Sequence, residues 1–317
     1  MKPGGRIALY YGDELRRYSF GEDHPFAPGR LDSFWEEVCR RGLDFCVDVR
    51  APSVAPRNLL ESFHPAAYLD RLSRLSAVGE GILDGEDTPV FPGIYEAASA
   101  VVGTTVAACR ALMAGDYAAA FIPIAGLHHG ARDRASGFCA MNDCGVAIEV
   151  LKTDYGLERI AYVDIDLHHG DGLYYPFEAD PAVYFADIHE DGRYVFPNTG
   201  WESERGKGAG VGKKLNIVMP PAAGDRDFFD AWQRVEAFVD AARPQFLLFQ
   251  CGADGLAGEP LGHLRYTSRA HSHATARMKA LAERHCPGRL LAMGGGGYNL
   301  RNVALAWSAV LEGLIGL

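Results

Sequence analysis

The sequence predicts a single α/β domain, built on a mostly parallel sheet of about eight strands with helices on both faces. Short apolar, β-branched runs alternate with helical patterns along all 317 residues, as in a parallel sheet whose strands are joined by helices. No Pro-rich or Ser-rich linker and no internal repeat interrupts the pattern. Hydrophobic residues make up 48% of the chain, enough for one large core. We therefore expect one domain over residues 1–317.

The strands and helices follow one another with few gaps. The predicted strands are Ile7–Tyr11, Phe45–Val49, Ala119–Ile124, Arg159–Asp166, Val183–Ile188, Leu215–Met219, Phe246–Cys251 and Leu290–Met293. The predicted helices are Leu31–Arg41, Pro65–Ala77, Ile94–Met113, Asn142–Leu151, Arg226–Ala242, Ser268–His285 and Val303–Leu314. Ligands of open parallel sheets bind at the carboxyl ends of the strands, so we expect the functional residues just after each strand.

Charge and hydropathy exclude several classes of protein. The formal net charge is −10, which argues against a duplex-DNA binder but is compatible with a cationic ligand. We find no apolar run approaching the roughly 18–20 residues of a membrane-spanning helix, and no signal-peptide pattern in the first 20 residues. The 7 cysteines are scattered and form no C-x-x-C pair, which favours reduced thiols. We expect a cytoplasmic protein that binds neither nucleic acid nor membrane.

The most informative motif is RIAYVDIDLHHGDG, over Arg159–Gly172. Side chains alternate along a strand, so one face carries Ala161, Val163, Ile165 and Leu167, and the other carries Asp164, Asp166 and His168. A strand covered on both faces should be apolar on both, and burying two carboxylates is costly without compensation. A divalent cation compensates them, and aspartate and histidine ligands suit zinc.

A second motif, LHHGARDRASGFCAMND over Leu127–Asp143, begins just after a predicted strand. It contains His128 and His129, and a further pair, His168 and His169, lies in the first motif. Histidine suits acid–base chemistry because its pKa lies near neutrality, and a carboxylate partner fixes its tautomer and charge. Asp164 and Asp171 are available as such partners.

Two further loops carry single candidate residues. FLLFQCGAD is an apolar strand that ends in Asp254, which by itself would also be explained as a helix cap or a solvated carboxylate. LLAMGGGGY ends in a glycine run that allows close approach of the backbone to a ligand, followed by Tyr298. That tyrosine is either a phenol donor in a site or an ordinary core residue.

Together these motifs resemble the zinc-dependent histone deacetylase family, which has the arginase/deacetylase fold. The resemblance covers almost the whole chain, and the matching segments occur in the family's order. They are YYGDELRRYSFGEDHPFAPGR, FHPAAYLDRL, DTPVFPGIYEA, LHHGARDRASGFC, DIDLHHGDG, GAD and GGGGY. Within the segment LHHGARDRASGFC, the residues DRASGFC and the initial LHHG are most similar to the bacterial acetoin-utilisation branch.

The resemblance implies a role for each matching residue. The metal ligands would be Asp166, His168 and Asp254, holding Zn²⁺ or, since such a site discriminates weakly, Fe²⁺. The catalytic residues would be His128, His129, Asp164, Asp171 and Tyr298, with His129 as general base and the phenol stabilising the oxyanion. The substrate-binding residues would be Arg30, Asp87, Gly137, Phe138, Phe196 and Leu261. A K⁺ or Na⁺ site would involve Asp164, Asp166, His168, Asp187 and Ile188, although Asp187 stands where the family commonly has serine.

The activity implied is hydrolysis of acetyl or other short acyl groups from lysine side chains of proteins or peptides. An acetylpolyamine deacetylase, or one acting on another small acylated amine, is the nearest alternative. It would need an acidic gate where this chain has Leu261, although Glu259 lies close by. Less favoured alternatives are a binuclear manganese hydrolase, a thiol hydrolase using Cys139, and a non-catalytic acyl-lysine reader. Acyl-chain preference and oligomeric state stay open.

Overall fold

A computed structural model describes residues 5–85 and 87–317, so residues 1–4 and residue 86 of the predicted domain lie outside the described residues. Within them, eight strands form one all-parallel sheet in the order β2-β1-β3-β8-β7-β4-β5-β6. The strands are β1 Ile7–Tyr10, β2 Asp48–Arg50, β3 Ala119–Ile122, β4 Ile160–Asp164, β5 Val183–Glu190, β6 Lys214–Met219, β7 Phe246–Gln250 and β8 Leu290–Met293. The predicted parallel sheet is confirmed.

The helices pack in two groups that cover the sheet. They are α1 Asp13–Arg16, α2 Gly29–Arg40, α3 Arg57–Leu60, α4 Ala66–Val78, α5 Ile94–Ala114, α6 Asp143–Thr153, α7 Asp171–Phe177, α8 Asp225–Ala242, α9 Ser268–His285 and α10 Leu300–Ile315. In one group α10 contacts α2 and α9, and α9 contacts α8. In the other group α5 contacts α1, α4 and α6. Strands between two helical layers need apolar residues on both faces, and every residue of β3, β4, β7 and β8 is buried.

Two sequence predictions about strands are wrong. Leu43–Cys46 forms a 3₁₀ turn in which Phe45 is 89% exposed, and the edge strand begins only at Asp48. A short apolar run does not distinguish a strand from a turn, and here the run precedes the strand. In the motif RIAYVDIDLHHGDG, β4 ends at Asp164, so Asp166 and His168 lie in the following loop rather than on a strand face.

Three short helices, α1, α3 and α7, have no counterpart in the sequence prediction. Two of them have four residues, too few for a 3.6-residue period to be visible. The third, α7, has seven residues and contains Pro176, which normally argues against a helix interior. Since α7 begins at Asp171, it nevertheless bears directly on the site.

Helix α5 corrects the expectation that no segment is long and apolar enough to span a membrane. It has 21 residues and contains an 18-residue window with a mean hydropathy of 1.5. Of that window, 72% is buried inside the protein. A buried core helix of a globular domain has the same composition, and α5 packs against β3 and β8.

Strand order determines where the site lies. The chain builds β1, β2 and β3 on one side of the sheet, and β4, β5 and β6 on the other. The last two strands, β7 and β8, fill the space between β4 and β3. The loops after β3, β8, β7 and β4 therefore meet at one edge of the sheet, where ligand sites of parallel sheets are expected.

Candidate active site

Three side chains from the loops after β4 and β7 converge on one point. Ligand atoms of Asp166, His168 and Asp254 lie within 4.8 Å of one another, and all three residues are buried. Nδ1 of His168 is 3.2 Å from Oδ1 of Asp166 and 3.1 Å from Oδ2 of Asp254. Two carboxylates and one imidazole suit a divalent cation, which would offset their negative charge. Across the described residues, this is the one such group of three or more His, Cys, Asp or Glu side chains.

Hydrogen bonds from the surrounding chain orient the two carboxylates. Oδ2 of Asp166 accepts from Nε2 of Gln250 and from the backbone N–H of Gly296, both at 2.8 Å. Oδ1 of Asp254 accepts from the backbone N–H of Leu167 at 2.9 Å. Such contacts fix the directions in which the remaining lone pairs point, and so prepare the group for a metal ion.

The tandem histidines after β3 each face one carboxylate. Nδ1 of His128 is 2.8 Å from Oδ2 of Asp164, and Nδ1 of His129 is 2.7 Å from Oδ1 of Asp171. The two imidazole centroids are 4.0 Å apart. The structure therefore brings together both predicted histidine–aspartate pairs, one from the end of β4 and one from the start of α7.

The pKa values of the two imidazoles are shifted in opposite directions. Burial lowers the pKa of His128, but the charges of Asp164 and then Asp166 raise it to about 10. Burial and the neighbouring His128 lower the pKa of His129 to about 4, although Asp171 opposes that shift. These opposite shifts favour the protonated form of His128 and the neutral form of His129.

Asp143, the first residue of α6, fixes the loop that carries the histidines. Its carboxylate accepts from the backbone N–H groups of Gly126 at 3.1 Å and Leu127 at 2.7 Å, and from the hydroxyl of Thr105 at 2.7 Å. It is fully buried. Asp143 is absent from the predicted site residues, although a carboxylate at a helix N-terminus is a familiar signal.

The glycine-rich loop after β8 presents Tyr298. Its ring packs edge-on against Phe138, with centroids 5.9 Å apart. Burial, with the charges of Asp254 and Asp166, raises the pKa of the phenol well above its usual value, so the group remains a proton donor. Arg30 is fully buried against the same loop and donates to the carbonyls of Gly295 at 2.5 Å and Gly297 at 2.6 Å. Its predicted contact with substrate stays a prediction.

Aromatic side chains border the site in two directions. Phe138 contacts Tyr298 and His24, and Phe196 packs edge-on against His129 with centroids 4.9 Å apart. Leu261, in the loop between β7 and α9, is 37% exposed.

The turn that carries Phe138 has a particular backbone requirement. Gly137 has φ +53°, and a Cβ there would come within 2.4 Å of the His129 ring. Its N–H donates to Oδ2 of Asp87 at 3.1 Å, and the hydroxyl of Thr88 accepts from the N–H of Phe138 at 3.1 Å. The loop that contains Asp87 therefore supports the turn that carries Phe138.

The residues of the predicted K⁺ or Na⁺ site already have protein partners. Asp187 pairs in register with Asp164 across β5 and β4, and Ile188 is fully buried. Oδ2 of Asp187 accepts from the N–H of Gly170 at 2.9 Å, and Oδ1 is 2.8 Å from Nδ1 of His189. Burial lowers the pKa of His189, but Asp187 raises it more, so the net shift is upward. The carboxylate that replaces the common serine is thus matched by a buried histidine.

Two alternatives are disfavoured by these contacts. Burial raises the pKa of the Cys139 thiol well above its usual value, so the thiolate that a thiol hydrolase needs is suppressed. Nδ1 of His169 is 2.9 Å from the Thr199 hydroxyl, and Asp171 is engaged by His129. Neither His169 nor Asp171 belongs to the Asp166–His168–Asp254 group, so the described residues offer no second group of ligands for a binuclear manganese hydrolase.

The eight-stranded parallel sheet with its helices is the arginase/deacetylase fold. The HDA15 HD domain, whose crystal structure has been solved, superposes with a TM-score of 0.91 at 25% sequence identity, covering 99% of this chain and 89% of that one. The fold thus defines the class of protein independently of the motifs.

A histone deacetylase domain matches residues 24–314, and the chain belongs to the histone deacetylase family. It is 36% identical over 309 residues to acetoin utilization protein AcuC of Bacillus subtilis strain 168, covering 95% of this chain and 80% of the relative. It is 31% identical over 313 residues to histone deacetylase clr6 of Schizosaccharomyces pombe, covering 96% and 75%. Membership of this family implies a hydrolase that acts on acetylated amides.

Proposed function

We propose that this protein is a zinc-dependent deacetylase that removes acetyl or other short acyl groups from lysine side chains of proteins. The observation that carries the proposal is the convergence of a buried Asp–His–Asp group, a neutral histidine and a protonated phenol at one end of the sheet. The relatives bearing the names acetoin utilization protein and histone deacetylase support deacylation.

Asp166, His168 and Asp254 would hold Zn²⁺, or Fe²⁺ in its place. The bound ion would supply Lewis acidity toward the acyl carbonyl and toward water. Because the two carboxylates neutralise the charge of a dication, the site is a weaker Lewis acid than one built from three histidines. The chain's own proton donors and acceptors must therefore contribute more.

His129 is the residue suited to take a proton from water. Its Nδ1 is held by Asp171, so Nε2 is the nitrogen available to the water, and the imidazole is neutral at physiological pH. As the water oxygen bonds to the acyl carbon, one water proton passes to His129. When the carbon–nitrogen bond breaks, an imidazolium returns that proton to the leaving nitrogen. The second proton of the water also ends on the amine, so the products are a carboxylate and an alkylammonium ion.

Tyr298 is suited to stabilise the charge that forms on the carbonyl oxygen. Its phenol stays protonated, because burial and the charges of Asp254 and Asp166 raise its pKa. A hydrogen bond that strengthens as the oxyanion develops lowers the barrier without tightening substrate binding. This separates its effect on kcat from any effect on KM.

Acyl-lysine is favoured over acetylated polyamines by the loop between β7 and α9. A polyamine-selective site needs a carboxylate facing the channel to bind the second ammonium. Here Leu261 stands at the matching position, and the nearby Glu259 is only 8% exposed, with its oxygens bonded to backbone and side-chain N–H groups. Phe138, Phe196 and Leu261 would line the acyl-lysine channel, and Asp87 would bind the substrate backbone.

We also propose that K⁺ or Na⁺ binds near Asp164, Asp166, His168, Asp187 and Ile188. The support is the pairing in register of Asp164 with Asp187, which brings two carboxylates together beneath the tandem histidines. The measurement that tests it is the melting temperature in K⁺, Na⁺ and tetramethylammonium salts at equal ionic strength. Equal melting temperatures in the three salts would contradict it.

The decisive experiment is a panel of fluorogenic acyl-lysine peptides and acetylated polyamines assayed with the zinc-loaded protein. We expect release of short acyl groups from lysine, with much weaker activity on polyamines. Asp171→Asn is the matched control, because it removes the negative charge beside His129 while leaving the three proposed metal ligands intact. If the protein turns over only polyamines efficiently, its substrate is a small acylated amine rather than acyl-lysine. If it turns over neither class, the proposed function is wrong.

A further inference from the structure

The peptide unit that joins Gly297 to Tyr298 is held from both ends. Its carbonyl accepts from Nε of Arg30 at 2.6 Å, and its N–H donates to Oε2 of Glu259 at 2.8 Å. Both partners are buried, with exposed fractions of 0% and 8%. Because a peptide unit is planar and rigid, hydrogen bonds at its opposite ends fix its orientation.

Glu259 is surrounded by donors. Its Oε2 accepts from the N–H groups of Tyr298 and Asn299, the latter at 3.1 Å. Its Oε1 accepts from Nδ2 of Asn302 at 3.0 Å. Asn299 is the N-cap of α10, and its side chain accepts from Arg301 and Asn302. The carboxylate thus connects the loop after β7 to the loop after β8 and to the first turn of α10.

The local backbone before Tyr298 does not by itself fix the direction in which the tyrosine side chain points. Gly297 has φ +123°, a conformation that residues with a Cβ rarely adopt, and it ends a run of four glycines, Gly294–Gly297. Such a run leaves many backbone conformations open. The direction of the Tyr298 Cα–Cβ bond must therefore be determined by contacts from other segments.

We propose that Glu259 is the positioning residue for Tyr298: by holding the backbone N–H, it keeps the phenol aligned with the oxyanion that forms during hydrolysis. This inference rests on the proposed function, since it assumes that the phenol acts in catalysis. Glu259 does not itself touch the reacting atoms. Its carboxylate faces the backbone of the tyrosine loop, which distinguishes it from an acidic substrate gate.

The test is Glu259→Gln, because glutamine keeps the size of the side chain but turns an NH₂ group toward surrounding donors. We expect kcat to fall by roughly 10-fold or more while KM and the Kd of a hydroxamate inhibitor stay within about 2-fold, since only the transition state uses the phenol. Zinc content should be unchanged. Glu259→Asp, which keeps the charge, should recover part of kcat, and it serves as the second variant if the glutamine protein does not fold.

A double-mutant cycle with Tyr298→Phe identifies the residue through which Glu259 acts. In the Tyr298→Phe background, Glu259→Gln should cause little further loss of kcat, because the hydroxyl that it positions is already gone. Glu190→Gln is the matched control. Glu190 is also buried and binds the same loop at His263, through the N–H and Nδ1 at 2.7 Å each, and it has no hydrogen bond to the tyrosine loop. Its effect should be the same in both backgrounds.

Hydrogen exchange at the Tyr298 amide gives a readout that does not depend on turnover. Glu259→Gln should increase that exchange rate by roughly 10-fold, since a neutral amide oxygen accepts from the Tyr298 N–H more weakly than a carboxylate oxygen does. If wild-type protein hydrolyses no amide while exchange responds as expected, the proposed function fails and the contact is structural. If wild-type protein is active, either an unchanged kcat in Glu259→Gln or an equal loss in both tyrosine backgrounds overturns the positioning role.

Discussion

At the scale of single residues, neighbouring histidines acquire different chemistry from the carboxylates beside them. His128 lies between Asp164 and Asp166, with its Nε2 3.8 Å from Oδ1 of Asp166, so its charged form is favoured. His129 faces Asp171 alone and adjoins the His128 cation, so its neutral form is favoured. Two adjacent histidines thus differ in role: His128 favours the charged form, and His129 favours the neutral form that can act as a base.

Removing the charge of one predicted metal ligand should impair metal binding, whereas removing the charge beside His129 should impair only acid–base chemistry. Asp254→Asn keeps the shape of the side chain but leaves one carboxylate and one imidazole for a dication, so we expect most of the zinc to be lost after dialysis. Zinc per chain, measured by atomic absorption, checks this. Asp171→Asn is the control and should keep its zinc while losing activity. Full zinc content in Asp254→Asn would exclude that residue as a ligand.

Tyr298→Phe removes one hydroxyl and should leave the metal in place. We expect kcat to fall by ~10²–10³-fold with KM nearly unchanged, because the phenol donates to charge that exists only in the transition state. Steady-state kinetics on an acetyl-lysine peptide, with zinc content measured in parallel, is the experiment. A variant with near-normal kcat would mean that Tyr298 is a core residue.

At the scale of elements, α5 packs closely on the loop that follows β2. A Cβ at Gly103 would lie 2.3 Å from the backbone nitrogen of Ala55 and 2.3 Å from the carbonyl oxygen of Ser53. Glycine is normally unfavourable inside a helix, by roughly 1 kcal/mol relative to alanine. Here its lack of a side chain allows helix and loop backbone to touch, so tertiary packing outweighs helix propensity.

Gly103→Ala should therefore destabilise the protein although alanine favours helix. Overpacking against backbone, which cannot rotate away, should lower the free energy of unfolding by ~1–3 kcal/mol. Urea denaturation measures it. The matched control is Gly29→Ala at the start of α2, where the nearest atom is a flexible Leu300 methyl carbon at 3.2 Å, and the change should stay within ~0.5 kcal/mol. Stabilisation by Gly103→Ala would contradict the close contact.

At the scale of the whole molecule, a buried neutral histidine makes stability depend on pH. His64 joins the segment before α4 to the loop before α6: its Nδ1 is 2.8 Å from the carbonyl of Arg132, and its Nε2 accepts from the N–H of Asn142 at 3.0 Å. Burial lowers the pKa of His64 to about 4. Protonation would remove the acceptor at Nε2, so the fold requires the neutral form.

Stability should therefore fall as the solution is acidified from pH 6.5 toward pH 4. In that window the unfolded chain binds a proton at His64 that the folded protein does not, which costs up to ~1.4 kcal/mol per pH unit. In His64→Gln, the amide can donate to the carbonyl of Arg132 and accept from the N–H of Asn142, but it does not titrate. The difference in free energy of unfolding between wild type and His64→Gln should shrink from pH 7 to pH 5. A difference independent of pH would contradict the assignment.

The sequence by itself determined the alternation of strands and helices, and the loops in which the functional residues lie. Those features are local: a buried strand needs an apolar run, and polar residues such as Asp164, Asp254 and the tandem histidines are visible where such runs end. The family resemblance added predicted roles for individual residues. Even Gln250, which was not singled out, stands at the end of an apolar strand, where the same signal could have revealed it.

Only the tertiary structure decided which way the side chains in loops point. Glu259, weighed from the sequence as an acidic gate near Leu261, bonds to the N–H of Tyr298, 39 positions away. Asp187 is paired with a buried histidine, and β4 ends two residues before the first predicted metal ligand. Loops have no periodicity that fixes side-chain direction, so contacts between distant segments determine it, and no single-sequence pattern records those contacts.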